Sequence, residues 1–401
     1  MFKKIFSSIK YIKFKDIIAI FVFIIALPIA LIYKLVLKIK NKELWLICEA
    51  KKEACDNGYH LFKYIRTNHP EDNVYYAIDK KSNEYKKIEN LGNIIQFGSF
   101  KHWIYYISAT KNISTHKSGN PNPPLFYFLH VYMGLFNNRV FLQHGITLND
   151  SPWIYYKNTK FKLFVCGAKK EYEYIKEKFG YPKDNVKYLG FTRFDNLVDT
   201  KKQNKQIVIM PTWRNWLGRD TNKLAKSEDF LETDYYKRYN SLLNNRKFCD
   251  YIEKNNIIVY FYPHRNMKKY ANSFNIKNPN IKVVTQENKD IQELIKESRL
   301  MITDYSSVSM DFAYMKKPVI YYQFDKEEYR EKQLNIGYFK YEEDGFGPVL
   351  EDESILVDYI IKTINENCKI EEKYMNNIEN FFEINDKNNC KRNYECIKSM
   401  K

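Results

Sequence analysis

Four apolar runs in this chain end in side chains that can carry protons or hold anions. "RVFLQHG" ends in Gln143-His144-Gly145, "IVIMPTWR" in Pro211-Thr212-Trp213-Arg214, "IIVYFYPHR" in Pro263-His264-Arg265, and "RLMITDYSS" in Asp304 and the pair Ser306-Ser307. One histidine after a strand is commonly a surface or satisfied core residue. Four strand ends carrying His, Arg, His-Arg and Asp-x-Ser-Ser form a constellation, and in open α/β sheets such ends are where ligands bind. Histidine titrates near neutrality and serves as a base or a donor. Arginine clamps oxyanions through paired N–H groups. After the serines, "VSMDFAYM" places Val308, Phe312 and Met315 about one turn apart, so a helix begins there, with backbone N–H groups at its head suited to phosphate. The competing reading makes Asp304 or Ser306 an ordinary helix cap. Asp325, closing "VIYYQFD", is either a cleft residue or a solvated aspartate. The set as a whole points to phosphate chemistry.

Several classes are set aside. The sequence has no Walker loop, no G-x-G-x-x-G and no H-E-x-x-H. No cofactor is therefore expected; a divalent metal stays compatible, but no cluster marks a site for one. Seven scattered cysteines without a C-x-x-C pair read as reduced cytosolic thiols. The formal charge is +17, from 65 basic and 48 acidic residues, which favours an anionic partner. No nucleic-acid module is present, so nucleic acid is not expected as that partner.

The elements that must position these residues come in two series. Strand-like runs at 43–50, 73–79, 93–98, 111–116, 139–145, 162–168 and 186–191 alternate with helical or polar stretches. After the polar linker "TKKQNKQ" (200–206), a second series runs through 207–213, 257–264, 281–286, 299–303 and 318–324. This alternation predicts α/β architecture: two Rossmann-type parallel-sheet domains, 43–199 and 200–401, the second with C-terminal helices, facing a cleft.

Residues 1–42 stand apart. They hold nine lysines and one aspartate, a charge of +8, around an apolar run at 17–33 that contains Pro28. That run would span about 25 Å as a helix, short of a ~30 Å hydrocarbon core. No good small-residue cleavage site follows it. The expectation is an uncleaved membrane attachment, spanning or lying as a helix or kinked hairpin in the cytoplasmic leaflet. Lysines on both flanks would meet an anionic membrane surface. The body would sit at the cytoplasmic face and fold without this segment.

The ordered stretches "QHG", "GFTRFD", "PTWRNW", "YPH", "ITDYSSVSMDFAYMKKPVIYYQFDKEEY" and "GFGPV" resemble the motif series of the CDP-glycerol glycerophosphotransferases, the teichoic-acid primases and polymerases. The resemblance covers about residues 43–385. It implies a GT-B-like fold and a reaction that moves a polyol phosphate from a CDP-activated donor to a hydroxyl of a membrane-linked or polymeric acceptor, releasing CMP. It implies His144 as general base, with Gly145 beside it. His264 and the Ser306-Ser307 helix head would contact phosphate, and Arg193 and Thr212 would occupy donor-binding positions. Pro211, Arg214, Asp304 and Asp325 complete the candidate binding set. Departures from the pattern are Ile146 in "HGITLNDSPW", the lack of a lysine before Lys157, and "LNIGYF" without arginine. Glycerol versus ribitol as the polyol, and the acceptor's identity, stay open. Two alternatives remain: a GT-B glycosyltransferase using a nucleotide sugar, and a non-enzymatic scaffold binding polyanions.

Overall fold

The computed structural model describes residues 14–198, 200, 205–217, 230–286, 288–332 and 336–400. The lysines at 3, 4, 10 and 13, most of the 200–206 linker and the start of "LNIGYF" lie outside them.

Every expected strand is present, and all pair in parallel. The first sheet contains β1 (Trp45–Ile47), β2 (Val74–Ile78), β3 (Ile94–Gln96), β4 (Lys111–Ser114), β5 (Arg139–Phe141), β6 (Leu163–Cys166) and β7 (Val186–Tyr188), in the order β3-β2-β1-β4-β5-β6-β7. The second contains β8 (Gln206–Met210), β9 (Ile258–Phe261), β10 (Ile281–Val283), β11 (Met301–Thr303), β12 (Val319–Tyr322) and β13 (Val349–Leu350), in the order β10-β9-β8-β11-β12-β13. β1, β5, β6 and β12 are buried along their whole length, as strands covered on both faces must be. In each sheet the winding reverses once, between β1 and β4 and between β8 and β11. Ligands bind at such reversals, beyond the carboxyl ends of the strands. β13 was not anticipated; two residues give no periodic signal.

The chain divides into two compact units. One comprises 1–146, 151–195 and 386–401, and the other 147–150 and 196–385. The C-terminal helix Asn389–Ser399 therefore belongs to the first unit, not to the second domain as expected. The cause is local. Asp195 accepts the N–H groups of Asn389 and Cys390 at 2.9 and 2.8 Å, and Asp72 accepts the Tyr394 hydroxyl at 2.6 Å.

The N-terminal segment also differs from expectation. It is one continuous helix, Phe14–Ile39, running through Pro28, so the hairpin alternative is set aside. Nor is it separate from the fold. Ala19, Ala26, Ala30 and Leu37 are buried in the same apolar cluster as Trp103, Tyr106 and Phe126 of the first unit. Asp16 accepts from Asn122 Nδ2 at 3.1 Å, and the Ala30 carbonyl accepts the Ser108 hydroxyl at 2.9 Å. The opposite face leaves Phe14, Phe21, Ile25 and Ile32 exposed. One side of the helix is thus a seam of small residues against the unit, and the other is a stripe of large apolar ones. Removing it would uncover Trp103 and Phe126.

This seam makes Ala30→Leu an overpacking change. It should destabilise the first unit by ~1–3 kcal/mol. Ile25→Ser, on the exposed stripe, should stay within about 0.5 kcal/mol. Denaturant titration in detergent distinguishes the two; equal effects would mean the helix is not docked through its alanines.

Candidate active site

At the reversal of the second sheet, the loops after β8, β11 and β12 are tied together by one arginine. Arg214 is fully buried. Its Nε and Nη2 donate to the two oxygens of Asp325 at 2.6 and 3.0 Å. Its Nη1 lies 2.9 Å from Asp304 Oδ2 and donates to the Thr212 carbonyl at 2.8 Å. Burial alone would pull the guanidinium down. Asp304 and Asp325 outweigh that and push its pKa well above the ordinary value, so it stays charged. Asp304 is equally committed: Oδ1 accepts the N–H groups of Thr212 at 2.8 Å and Tyr305 at 2.6 Å, and Oδ2 accepts the Tyr239 hydroxyl at 3.2 Å. Arg214, Asp304 and Asp325 were expected to touch substrate. They instead spend their charges on each other and position what surrounds them.

The groups left at the surface of this knot are His264, Thr212 and the serine pair. His264 caps the turn that follows β9, its Nδ1 accepting from Asn266 N–H at 3.2 Å, and its ring stacks on Trp213 with centroids 6.2 Å apart. Burial, helped by Arg265, pushes His264 down to about 4. The ring is therefore neutral at pH 7, and with Nδ1 accepting, its proton sits on Nε2 as a donor. Thr212 Oγ1 is buried without a hydrogen-bond partner among the described residues, beside Pro211. The helix Val308–Tyr314 begins after Ser307 as expected, but several of its first N–H groups are already engaged. Val308 N–H goes to Ser306 Oγ at 3.3 Å, Ser309 N–H to the Ser306 carbonyl and Met310 N–H to the Ser307 carbonyl, both at 3.1 Å. The backbone N–H groups of Ser306 and Ser307 take no such partner among the described residues. The donors available to an anion thus lie just before the helix rather than within its first turn.

In the first unit, His144 follows β5 and is exposed, with Gly145 after it half-buried. Its predecessor Gln143 adopts a left-handed φ of 59°. That conformation is held from three sides. The Gln143 amide donates to Val165 O at 2.8 Å and Glu171 Oε1 at 2.9 Å, and Asn57 Nδ2 donates to the Gln143 carbonyl at 2.9 Å. The loop that presents His144 is therefore fixed. Arg193, which the motif would assign to the donor, also lies in this unit. Its Nη1 pairs with Asp56 Oδ1 at 3.0 Å and its guanidinium lies over Phe191 and Phe194.

Sequence reading missed His116. It stands two residues past β4, the neighbour of β5, and its ring stacks on His144 with centroids 4.8 Å apart and planes 8° from parallel. The signal was available, since "KNISTH" is a strand ending in histidine like the others. Glu49, just after β1, was also passed over. It accepts N–H groups from Cys55 at 3.0 Å and Tyr59 at 2.7 Å, and burial, with Asp56 adding, raises it to about 8. Burial likewise raises Cys48, Cys55, Cys166 and Cys390, which disfavours a catalytic thiolate at these positions. Among the described residues no cluster of three or more His, Cys, Asp or Glu side chains could hold a metal ion.

A family model described as CDP-Glycerol:Poly(glycerophosphate) glycerophosphotransferase matches residues 29–399. The minor teichoic acid biosynthesis protein GgaB of Bacillus subtilis is 38% identical over 364 residues, which are 89% of this chain and 40% of that protein. A teichoic acid poly(glycerol phosphate) polymerase of Bacillus spizizenii is 24% identical over 380 residues, 84% of this chain and 88% of its own. The chain thus spans less than half of the first relative and most of the second. The solved structure of the wall teichoic acid polymerase TagF superposes with a TM-score of 0.65 at 14% identity, covering 89% of this chain and 88% of that one, and shares the fold.

Two outcomes follow from the second-sheet geometry. Arg214→Ala leaves two buried carboxylates without their cation and should cost ~3–5 kcal/mol by denaturant titration. Arg214→Lys should not restore it, because a point charge cannot fork between Asp304 and Asp325. The second concerns pH. The folded value of His264, about 4, lies below the free value of 6.5, so between them the unfolded chain binds more protons. The His264 contribution is complete above 6.5 and is lost as pH falls through 4. His264→Gln should flatten that part of the stability curve. An unchanged slope would place the titration elsewhere.

Proposed function

The chain belongs to the CDP-glycerol:poly(glycerophosphate) glycerophosphotransferase family, and from that premise we propose that it transfers glycerol phosphate from CDP-glycerol to a hydroxyl of a membrane-linked or polymeric teichoic-acid-type acceptor. The observation that carries the reading is the grouping of Thr212, His264, Ser306 and Ser307 at the winding reversal of the second sheet, around a buried charge knot.

In this mechanism the donor's phosphates sit against that group. The His264 Nε2–H and the Ser306 and Ser307 N–H groups donate to phosphate oxygens, and Thr212 Oγ1 gains the partner it lacks. Arg214, Asp304 and Asp325 do not touch the donor; they hold these loops still. The acceptor oxygen forms a bond to the phosphorus that bears glycerol. The P–O bond to the cytidylyl phosphate breaks, and CMP leaves with the electron pair. His144 takes the acceptor's hydroxyl proton as the new bond forms, because an alcohol is a poor nucleophile while protonated. Its exposure suits exchange of that proton with water between turnovers.

The N-terminal helix fits attachment to the membrane at its cytoplasmic face. With its alanine seam packed against the first unit, the bulky outer face of the helix is the part open to lipid. Lys40, Lys42 and Lys398 line a cavity of about 690 Å³ at its C-terminal end together with Glu43, Glu71 and Asp72, so its charged lining is balanced.

Incubation with acceptor and, separately, CDP-glycerol, CDP-ribitol and a UDP-sugar tests the donor. CMP released from CDP-glycerol is expected; UDP release would transfer the protein to the glycosyltransferases. His144→Ala should lower turnover by about 10²- to 10⁴-fold while donor affinity stays within a few-fold. His264→Ala should weaken donor binding by about 10- to 150-fold in calorimetry. Thermal melts alongside separate either loss from unfolding.

A further inference from the structure

We infer that His116 is a positioning residue for the base: its ring is the fixed platform on which the His144 imidazole lies, and it steadies the charge that His144 acquires on taking a proton. The inference rests on the proposed role of His144.

His116 is itself held rigidly. Its Nδ1 lies 2.9 Å from the hydroxyl of Thr115, a fully buried residue. Its backbone is pinned on both sides by one side chain, since its N–H donates to Ser114 Oγ at 3.0 Å and Ser114 Oγ donates to its carbonyl at 2.7 Å. The loop beyond is pressed onto the end of β1: a Cβ on Gly119 would fall 2.1 Å from Ser114 Oγ and 2.7 Å from the Cys48 carbonyl. His144, by contrast, is exposed on a loop fixed mainly through Gln143. The near-parallel stack at 4.8 Å is thus a contact between an anchored ring and an accessible one.

The stack has two physical consequences. It restricts rotation of the His144 ring, so its lone pair is aimed before the acceptor arrives. It also places an aromatic face against a nascent imidazolium, which favours the cation. Two positive charges at this spacing would repel, so the stack disfavours protonation of both rings at once. Four charged groups of the surrounding elements are engaged with other partners. Lys117 donates to the Trp153 carbonyl at 2.7 Å, Glu171 accepts from Gln143 and from Gly167 N–H at 2.7 Å, Glu49 holds the head of the helix Asn57–Asn68, and Asp56 pairs with Arg193. His116 is the titratable group stacked on His144.

Two variants of the full chain test this. His116→Ala removes the platform, and kcat should fall about tenfold or more with KM for CDP-glycerol within about twofold. His116→Phe restores an aromatic face without a titrating nitrogen. It should recover most of kcat, while the pH–rate profile becomes a simple single titration on its acid side. In parallel, ¹³C-histidine NMR should show the His144 signal titrating in two coupled steps in the wild type and in one step in His116→Phe. The inference is overturned if His116→Ala keeps wild-type kcat, if Phe fails to rescue, if the loss tracks the melting temperature, or if the His144 titration ignores residue 116. Failure of the base assignment looks different: His144→Ala would then turn over normally, while the wild type still showed the NMR coupling between the two rings.

Discussion

The second unit depends on a buried charge knot. Arg214 joins Asp304 after β11 to Asp325 after β12 from its own place after β8, and all three are removed from water. Desolvating them costs several kcal/mol per ion, and the attraction among them only offsets this when the geometry is good and the leftover lone pairs are satisfied. Here they are satisfied. Thr212 N–H, Tyr305 N–H and the Tyr239 and Tyr305 hydroxyls complete the shell, and Gln323 Nε2 donates to the Asp304 carbonyl at 2.9 Å. Tyr305 and Tyr329, stacked at 3.6 Å, lie against the guanidinium. The same knot would be a poor means of stabilising a generic core, where packed apolar residues do as well. Its value is positional: three strand ends are locked in one register, and the uncommitted donors at their surface inherit that precision.

The first unit solves the corresponding problem with neutral and singly paired groups. Glu49 gathers backbone N–H groups at the end of β1, and Gly58 sits so close that a Cβ there would lie 2.9 Å from Glu49 Cγ. Asp56 and Arg193 pair beside it, while Asn57 and Glu171 set the Gln143 backbone. The result is a left-handed residue held without glycine, and a histidine delivered at a fixed point.

The strands and the position of the second-sheet cluster were legible in the sequence, because buried parallel strands write themselves as apolar runs and their ends as abrupt polarity. Roles were less legible. Arg214 reads as an oxyanion clamp by residue type, and only its burial reveals that its anions are Asp304 and Asp325. The helix head at Ser307 reads as a set of free donors, and only hydrogen-bond geometry shows that the serines themselves consume some of them. The N-terminal helix reads as lipid-exposed all round because every residue of the run is apolar. The discriminating signal was size rather than polarity: Ala19, Ala26 and Ala30 recur at seven- and four-residue spacing along one stripe of an otherwise bulky helix, the spacing of a packed seam. The return of the C-terminal helix to the first unit had no local signal, since Asp195 and Asn389 are far apart in sequence.

One residue type is given two jobs on the proposed mechanism, and burial decides which. A group that hydrogen-bonds donor phosphates should present the same proton throughout turnover. Burial against Trp213 and beside Arg265 achieves this for His264, pushing it down to about 4 and leaving a permanent Nε2–H. A base must instead gain a proton in each cycle and lose it before the next, so it needs a route to water. His144 is exposed, and its ring is steadied from one face by His116 rather than enclosed. Enclosing it would make the charged form costly at the moment the reaction requires it, whereas leaving it wholly unsupported would surrender its aim. A stacked, one-sided support meets both demands, since it leaves the ring open to water and still aims it.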